Sequence, residues 1–148
     1  MEEFVMRSRQ ILCPTDFSET ASQALKYAIE MANFYHVGLR LVHVIDQPVG
    51  LDNYQILTIT PEELAHSMEE SAAAKMHSLL SELKSELSVE SVIRHGVAFE
   101  QILKEAEVSE AGMIVIASHG RTGLSHFLST NVAEAVANGA KCPVLVVK

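Results

Sequence analysis

Cysteine is scarce in this chain: Cys13 and Cys142 are the only two, and neither belongs to a C-x2-C pair. That spacing argues against a metal knuckle, and both residues read as small core side chains. Basic charge is also short, with 11 lysines and arginines against 19 acids and a net charge of −8. Phosphate backbones need basic patches, so the balance argues against nucleic acid as a partner. It does not exclude a small nucleotide, because local N–H groups can overrule a global charge. No apolar run approaches the ~18 residues of a membrane span, so no membrane partner is expected. Residues 1–10 carry Glu2, Glu3, Arg7 and Arg9 ahead of a short strand, which is not a secretory pattern. With so little cysteine, the expected compartment is a reducing cytoplasm.

Several catalytic and phosphate motifs are missing too. There is no G-x4-G-K-[ST], so P-loop chemistry has no support. A dinucleotide fold wants G-x-G-x2-G after its first strand, where this chain has Pro14-Thr15-Asp16-Phe17. Asp16 stands without the acidic cluster and lysine of a phospho-accepting receiver domain. No G-x-S-x-G elbow and no Ser/His/Asp set with readable spacing occur, so no catalytic residue is assigned.

The chain does hold a regular alternation of elements. Its 148 residues are 48% apolar, the size of one domain (residues 1–148) that buries about 68–70% of its unfolded-chain surface. A short apolar strand over Gln10 to Pro14 leads into a helix with Ala21, Leu25, Ala28, Ile29 and Ala32 at helical spacing and Ser18 as N-cap. Gly38 breaks it, and Leu39 to Ile45 reads as the second strand. An apolar loop, Gln47 to Ile59, precedes Thr60-Pro61-Glu62-Glu63, a helix start with a capping box and proline in the first helical position. That helix should run to about Leu87. Val89 to His95 is a third strand ended by Gly96, and Phe99, Ile102, Leu103 and Ala106 mark a short amphipathic helix. Met113 to Ala117 is uninterrupted apolar, as expected of a strand covered on both faces. A last helix over Val132 to Asn138 and a strand over Pro143 to Val147 complete a β-α-β-α-β-α-β-α-β order. The fold class is α/β, a doubly wound open parallel sheet of five strands with helices on both faces.

Four segments, in this order, carry a family resemblance over essentially the whole chain. They are Ile11-Leu12-Cys13-Pro14-Thr15-Asp16-Phe17-Ser18-Glu19, Leu41-Val42-His43-Val44, Ala117-Ser118-His119-Gly120 with Thr130-Asn131-Val132-Ala133-Glu134, and Cys142-Pro143-Val144-Leu145-Val146-Val147. Together they resemble the universal stress protein family. Its nucleotide-binding members carry G-x2-G-x9-G-[ST] in the third segment. Here Gly120 matches the second glycine, while Ala117, Thr130 and Asn131 replace the first glycine, the third glycine and the hydroxyl residue.

The resemblance implies strand order 3-2-1-4-5, with a switch point between strands 1 and 4. Ligands in open α/β sheets lie at the carboxyl ends of strands beside such a point. Strand 4 would separate Cys13 from Cys142 by about 10 Å laterally, too far for a disulfide.

The resemblance also implies an adenine nucleotide (ATP, ADP or AMP, with Mg²⁺ as a companion) in that crevice. The base would lie by Asp16 and Val44, with Pro14 and Thr15 beside them. The phosphates would lie by Ile116, Ala117, His119, Gly120, Thr130, Asn131 and Val132. Ser118 faces the same loop, and Arg121 could add positive charge. Asp16 has a second reading, as a carboxylate stabilised by the dipole of helix 1. Asn131, with Glu134 three residues on, also reads as the N-cap of the last helix.

Of the seven histidines, none is spaced i, i+4 from another, and only His119 and His126 approach the crevice, so no metal site is expected. His66 and His77 read as exposed helical residues, and His43 as a hydrogen-bonded core residue. The expected function is stress-responsive nucleotide binding with homodimerisation through the C-terminal strand. Two rivals remain: a dimeric interaction module of the same fold without nucleotide, and a slow nucleotide hydrolase.

Overall fold

A computed structural model describes residues 9–46, 60–83, 87–119 and 128–148. The expected apolar loop over 47–59, and Gly120, Arg121 and His126, lie outside the described residues. The elements alternate as β1 (Ile11–Pro14), α1 (Glu19–Tyr35), β2 (Leu39–Ile45), α2 (Pro61–Glu82), β3 (Val89–His95), α3 (Ala98–Val108), β4 (Met113–Ala117), α4 (Thr130–Gly139) and β5 (Val144–Val147). All neighbouring strands are parallel, in the order β3-β2-β1-β4-β5.

Local chemistry explains most boundaries. The Ser18 hydroxyl accepts from the Ala21 N–H and starts α1, which buries Ala21, Ala24, Leu25, Ala28 and Ala32 along one stripe. At the other end His36 turns left-handed (φ 58°) and returns its N–H to the last helical carbonyls. Thr60 and Glu63 form the expected capping box, with Pro61 first in α2. That helix stops at Glu82, short of the expected Leu87, because Leu83 leaves helical geometry and its N–H closes on the Leu80 carbonyl three residues back. Gly96 ends β3 at φ 133°, a conformation L side chains rarely adopt, and donates to the Ile45 carbonyl at 3.0 Å.

The steps β1 to β2 to β3 run one way along the sheet, and those to β4 and β5 run the other. Right-handed crossovers then put α1 and α2 on one face and α3 and α4 on the other. Packing agrees: α1 lies on β1 and β4, α2 on β2 and β3, and α3 on α4, β2 and β3. Ile11, Leu12, Leu39, Leu41, Ile114 and Ile116 are fully buried in the central strands. Cys13 is buried among them as a free thiol with its pKa pushed up to about 12, and Cys142 is a second free thiol at half depth.

One buried feature of this core is ionic. Glu105 of α3 is only 2% exposed, and its two carboxylate oxygens accept from Arg40 Nε of β2 at 2.7 Å and from Arg94 Nη1 of β3 at 2.8 Å. Arg40 also reaches Glu90 at 3.3 Å, and Arg94 Nε donates to Gln101 at 2.8 Å. A carboxylate this deep is tolerated because both oxygens meet a guanidinium.

Candidate functional site

The sheet opens where its strand order reverses. Between β1 and β4 the paired register covers only Ile11↔Met113 and Leu12↔Ile114. Beyond those pairs β1 follows β2, up to Pro14↔Val42, and β4 follows β5, up to Ala117↔Val147. The carboxyl ends of β1 and β4 thus serve different neighbours, and it is beside such a switch point that ligands lie in open α/β sheets.

β1, β2 and β4 are adjacent and parallel, so their carboxyl ends, with Pro14 and Thr15, Val44, and Ile116 and Ala117, lie at the same edge of the sheet.

The turn after β1 is closed by side chains. The Thr15 N–H donates to the Val42 carbonyl at 2.9 Å, holding the chain to β2 one residue past the strand. Thr15 Oγ1 accepts from the Phe17 N–H at 3.0 Å, and Asp16 Oδ1 accepts from the Ser18 N–H at 3.0 Å and from the Ser18 hydroxyl. Because Ser18 gives its one hydroxyl proton to Asp16, its oxygen accepts from Ala21 N–H (3.2 Å) and from the Thr20 hydroxyl (3.1 Å). Asp16 does sit at the head of α1, with its carboxylate facing the positive end of the helix. Thr15, Asp16 and Ser18 are all buried.

Phe17 takes φ 64°, a left-handed conformation costing a non-glycine residue about 1–2 kcal/mol. Among the described residues the other non-glycine residues with positive φ, His36 and Glu110, follow helix C-termini, where that geometry is routine. Phe17 instead precedes a helix. Its ring lies 4.5 Å from that of His43, and the Lys75 ammonium of α2 stands 6.0 Å from its centroid. His43 is the buried, hydrogen-bonded core histidine the sequence suggests: its Nδ1 lies 2.8 Å from the Thr15 carbonyl.

On the β4 side Ala117 is buried, and the Ser118 N–H donates to Val147 at 2.7 Å. Ser118 Oγ and His119 Nδ1 are hydrogen-bonded at 3.0 Å on the exposed rim. The start of α4 corrects the sequence reading. Ser129, not Asn131, is the N-cap, accepting from the Val132 N–H at 3.2 Å, and the helix begins at Thr130 rather than Val132. Thr130 and Asn131 become its first two residues, whose N–H groups lie outside the helical ladder. The Val132 N–H, expected to face a phosphate, is already engaged by Ser129.

Two features had no clear sequence signal. Asp46, just past β2, accepts a hydrogen bond from the Ala98 N–H at the head of α3, where the N-cap residue Val97 supplies none. Desolvation raises the Asp46 pKa, and that hydrogen bond opposes the rise. The other is the left-handed Phe17.

A doubly wound parallel sheet of order 3-2-1-4-5, with its switch point between β1 and β4, defines a class of α/β domains. The universal stress protein family profile matches residues 7–148, and the chain belongs to that family. It is 34% identical to universal stress protein MJ0577 of Methanocaldococcus jannaschii over 153 residues, covering 95% of this chain and 94% of that one. A solved structure of MJ0577 superposes with a TM-score of 0.76 at 35% identity, covering 97% of each chain. A universal stress protein of Archaeoglobus fulgidus, solved in complex with dAMP, superposes at 0.62 with 22% identity over 95% of this chain and 98% of that one. A further universal stress protein structure, solved in complex with cAMP, superposes at 0.60 with 17% identity over 95% of this chain and 97% of that one. At such identities these last two likenesses carry the fold alone.

Among the described residues no helix is long and apolar enough to cross a membrane.

Proposed function

We propose that this chain binds an adenine nucleotide in the cleft between β1 and β4 and acts in the stress response through that binding and through dimerisation. The observation that carries the reading is the early end of β1–β4 pairing, which opens the sheet beside a buried carboxylate and two helix N-termini. Asp16 and Val44 take the base, with Pro14 and Thr15 beside them. Ala117, His119, Gly120 and the Thr130 and Asn131 amides meet the phosphates. A carboxylate accepts from an exocyclic amine, and the apolar ends of β2 and β4 desolvate the ring. Two fold relatives solved with dAMP and cAMP are in keeping with an adenine ligand. Calorimetric titration with ATP, ADP and AMP, with and without Mg²⁺, should give saturable binding. Silence from all three at millimolar concentration would leave the rival reading, a dimeric interaction module without nucleotide.

The dimer has its own argument. Among the described residues β5 pairs only with β4, which leaves its outer edge without a strand partner there, beside Leu145 and Val146, 36% and 37% exposed. An open apolar edge invites pairing with another chain, and a two-fold antiparallel pairing closes the assembly. Light scattering should report a wild-type homodimer and a monomeric Val146→Lys variant, since a lysine on the edge opposes strand addition. A wild-type monomer at high micromolar concentration, or a Val146→Lys protein that stays dimeric, rules this interface out.

A further inference from the structure

We propose that His43 is a positioning residue: by fixing the Thr15 carbonyl and bracing the Phe17 ring, it holds Asp16 in the geometry that receives the ligand. The ligand part of this inference rests on the nucleotide reading above.

The Thr15 carbonyl oxygen can only accept, so the hydrogen at its 2.8 Å contact belongs to Nδ1, which fixes which ring nitrogen of His43 is the donor. Thr15 is thereby tied to β2 through both of its backbone polar groups, its N–H to the Val42 carbonyl and its carbonyl to the His43 ring. The next residue is Asp16, and the one after it is left-handed Phe17. Such a backbone persists only where its surroundings over-determine it. Here the restraints are the Thr15 Oγ1 acceptor, the His43 ring at 4.5 Å and the Lys75 ammonium at 6.0 Å. His43 supplies two of the constraints on this turn, a polar one before Asp16 and an apolar one after it. One side chain therefore sets both flanks of the carboxylate.

The two constraints can be separated by substitution. In His43→Asn the side-chain amide nitrogen takes the place of Nδ1, so donation is kept and the ring is lost. In His43→Phe the ring is kept and the donor is lost. The measurements are AMP and ATP affinity by calorimetry, well below each variant's melting temperature, and amide hydrogen exchange at Phe17 and Ser18, whose N–H groups close the turn onto Thr15 and Asp16. The expected result is a tenfold or greater loss of affinity in His43→Phe, with faster exchange at both amides. His43→Asn, which loses only the ring brace, should lose less affinity than His43→Phe and exchange more slowly than it at both amides, whatever its melting temperature. Wild-type affinity and protection in His43→Phe overturn the proposal, as do equal losses in both variants that track their stability. If wild type binds neither nucleotide, the nucleotide reading fails by itself, and the exchange pattern still decides whether His43 holds the turn. His43→Leu replaces the phenylalanine variant should that one not fold. Failure of both donorless variants to fold makes the hydrogen bond a folding determinant and overturns the positioning role.

Discussion

Glu105→Ala should destabilise the fold by about 3 kcal/mol, at the low end of the cost of breaking a buried ion pair by removing one partner. For a chain of this size that corresponds to a fall in melting temperature of about 6–12 °C. Glu105 is 2% exposed and bridges Arg40 and Arg94, whose side chains are 23% and 20% exposed. Removing the carboxylate leaves two guanidinium groups facing each other under α3, with water reaching them only in part. Partial hydration is the reason for choosing the low end of the range. Glu105→Gln keeps an acceptor but not the charge, so it should fall between alanine and wild type. The triple change Arg40→Met, Glu105→Leu, Arg94→Met should recover most of the loss, because an apolar replacement of a whole buried ion group is often neutral or stabilising. Denaturant midpoints of the four proteins are the measurement. A Glu105→Ala protein within about 0.5 kcal/mol of wild type would behave like an ordinary surface variant and refute this account.

This network also shows where sequence reading stops. Leu39–Ile45, Val89–His95 and Met113–Ala117 are legible as strands within their observed limits, because each is a short run rich in apolar and β-branched residues with turn residues nearby. The α1 stripe and the Thr60 capping box are legible for the same local reasons. Strand order is not local, and it came from the family resemblance. Glu105 lies 65 residues from Arg40, and on α3 it is simply an acid in an amphipathic pattern. The available signal was an arginine in each of two neighbouring strands, which alternation places on one face with Val42 and Val44.

The start of α4 misled for a different reason. Asn131 followed by Glu134 has the form of a capping box, whereas Ser129 is followed three residues on by Val132 and caps with its hydroxyl alone. A one-sided cap is weaker as a pattern than a reciprocal one, though each satisfies an orphan N–H. The left-handed backbone at Phe17 had no signal, since only glycine advertises that conformation.

The corrected helix start makes the second large effect easier to place. Thr130→Gly combined with Asn131→Ser should tighten ATP binding at least tenfold while changing AMP affinity much less. Both positions fall in the first turn of α4, where the N–H groups lie outside the helical ladder and the helix dipole favours an anion. Threonine at the first position puts a branched side chain over its own N–H, where nucleotide-binding relatives, as the resemblance has it, carry glycine. The Ser129 hydroxyl is held at the cap by the Val132 N–H, one residue before the position where those relatives carry glycine. Serine at 131 restores a hydroxyl at the position where those relatives carry one, and glycine at 130 opens the approach to it. A charge-assisted hydrogen bond to a phosphate contributes about 1.5–3 kcal/mol, which sets the tenfold expectation. AMP ends at its first phosphate, so contacts aimed at the distal phosphates leave it largely unaffected. Glycine in the first helical turn weakens α4 slightly, so melting temperatures must accompany the titrations to show that the fold is retained. An equal gain for ATP and AMP would mean that the two substitutions act on the α-phosphate or on the helix itself. No gain for either would mean that Thr130 and Asn131 do not face the ligand.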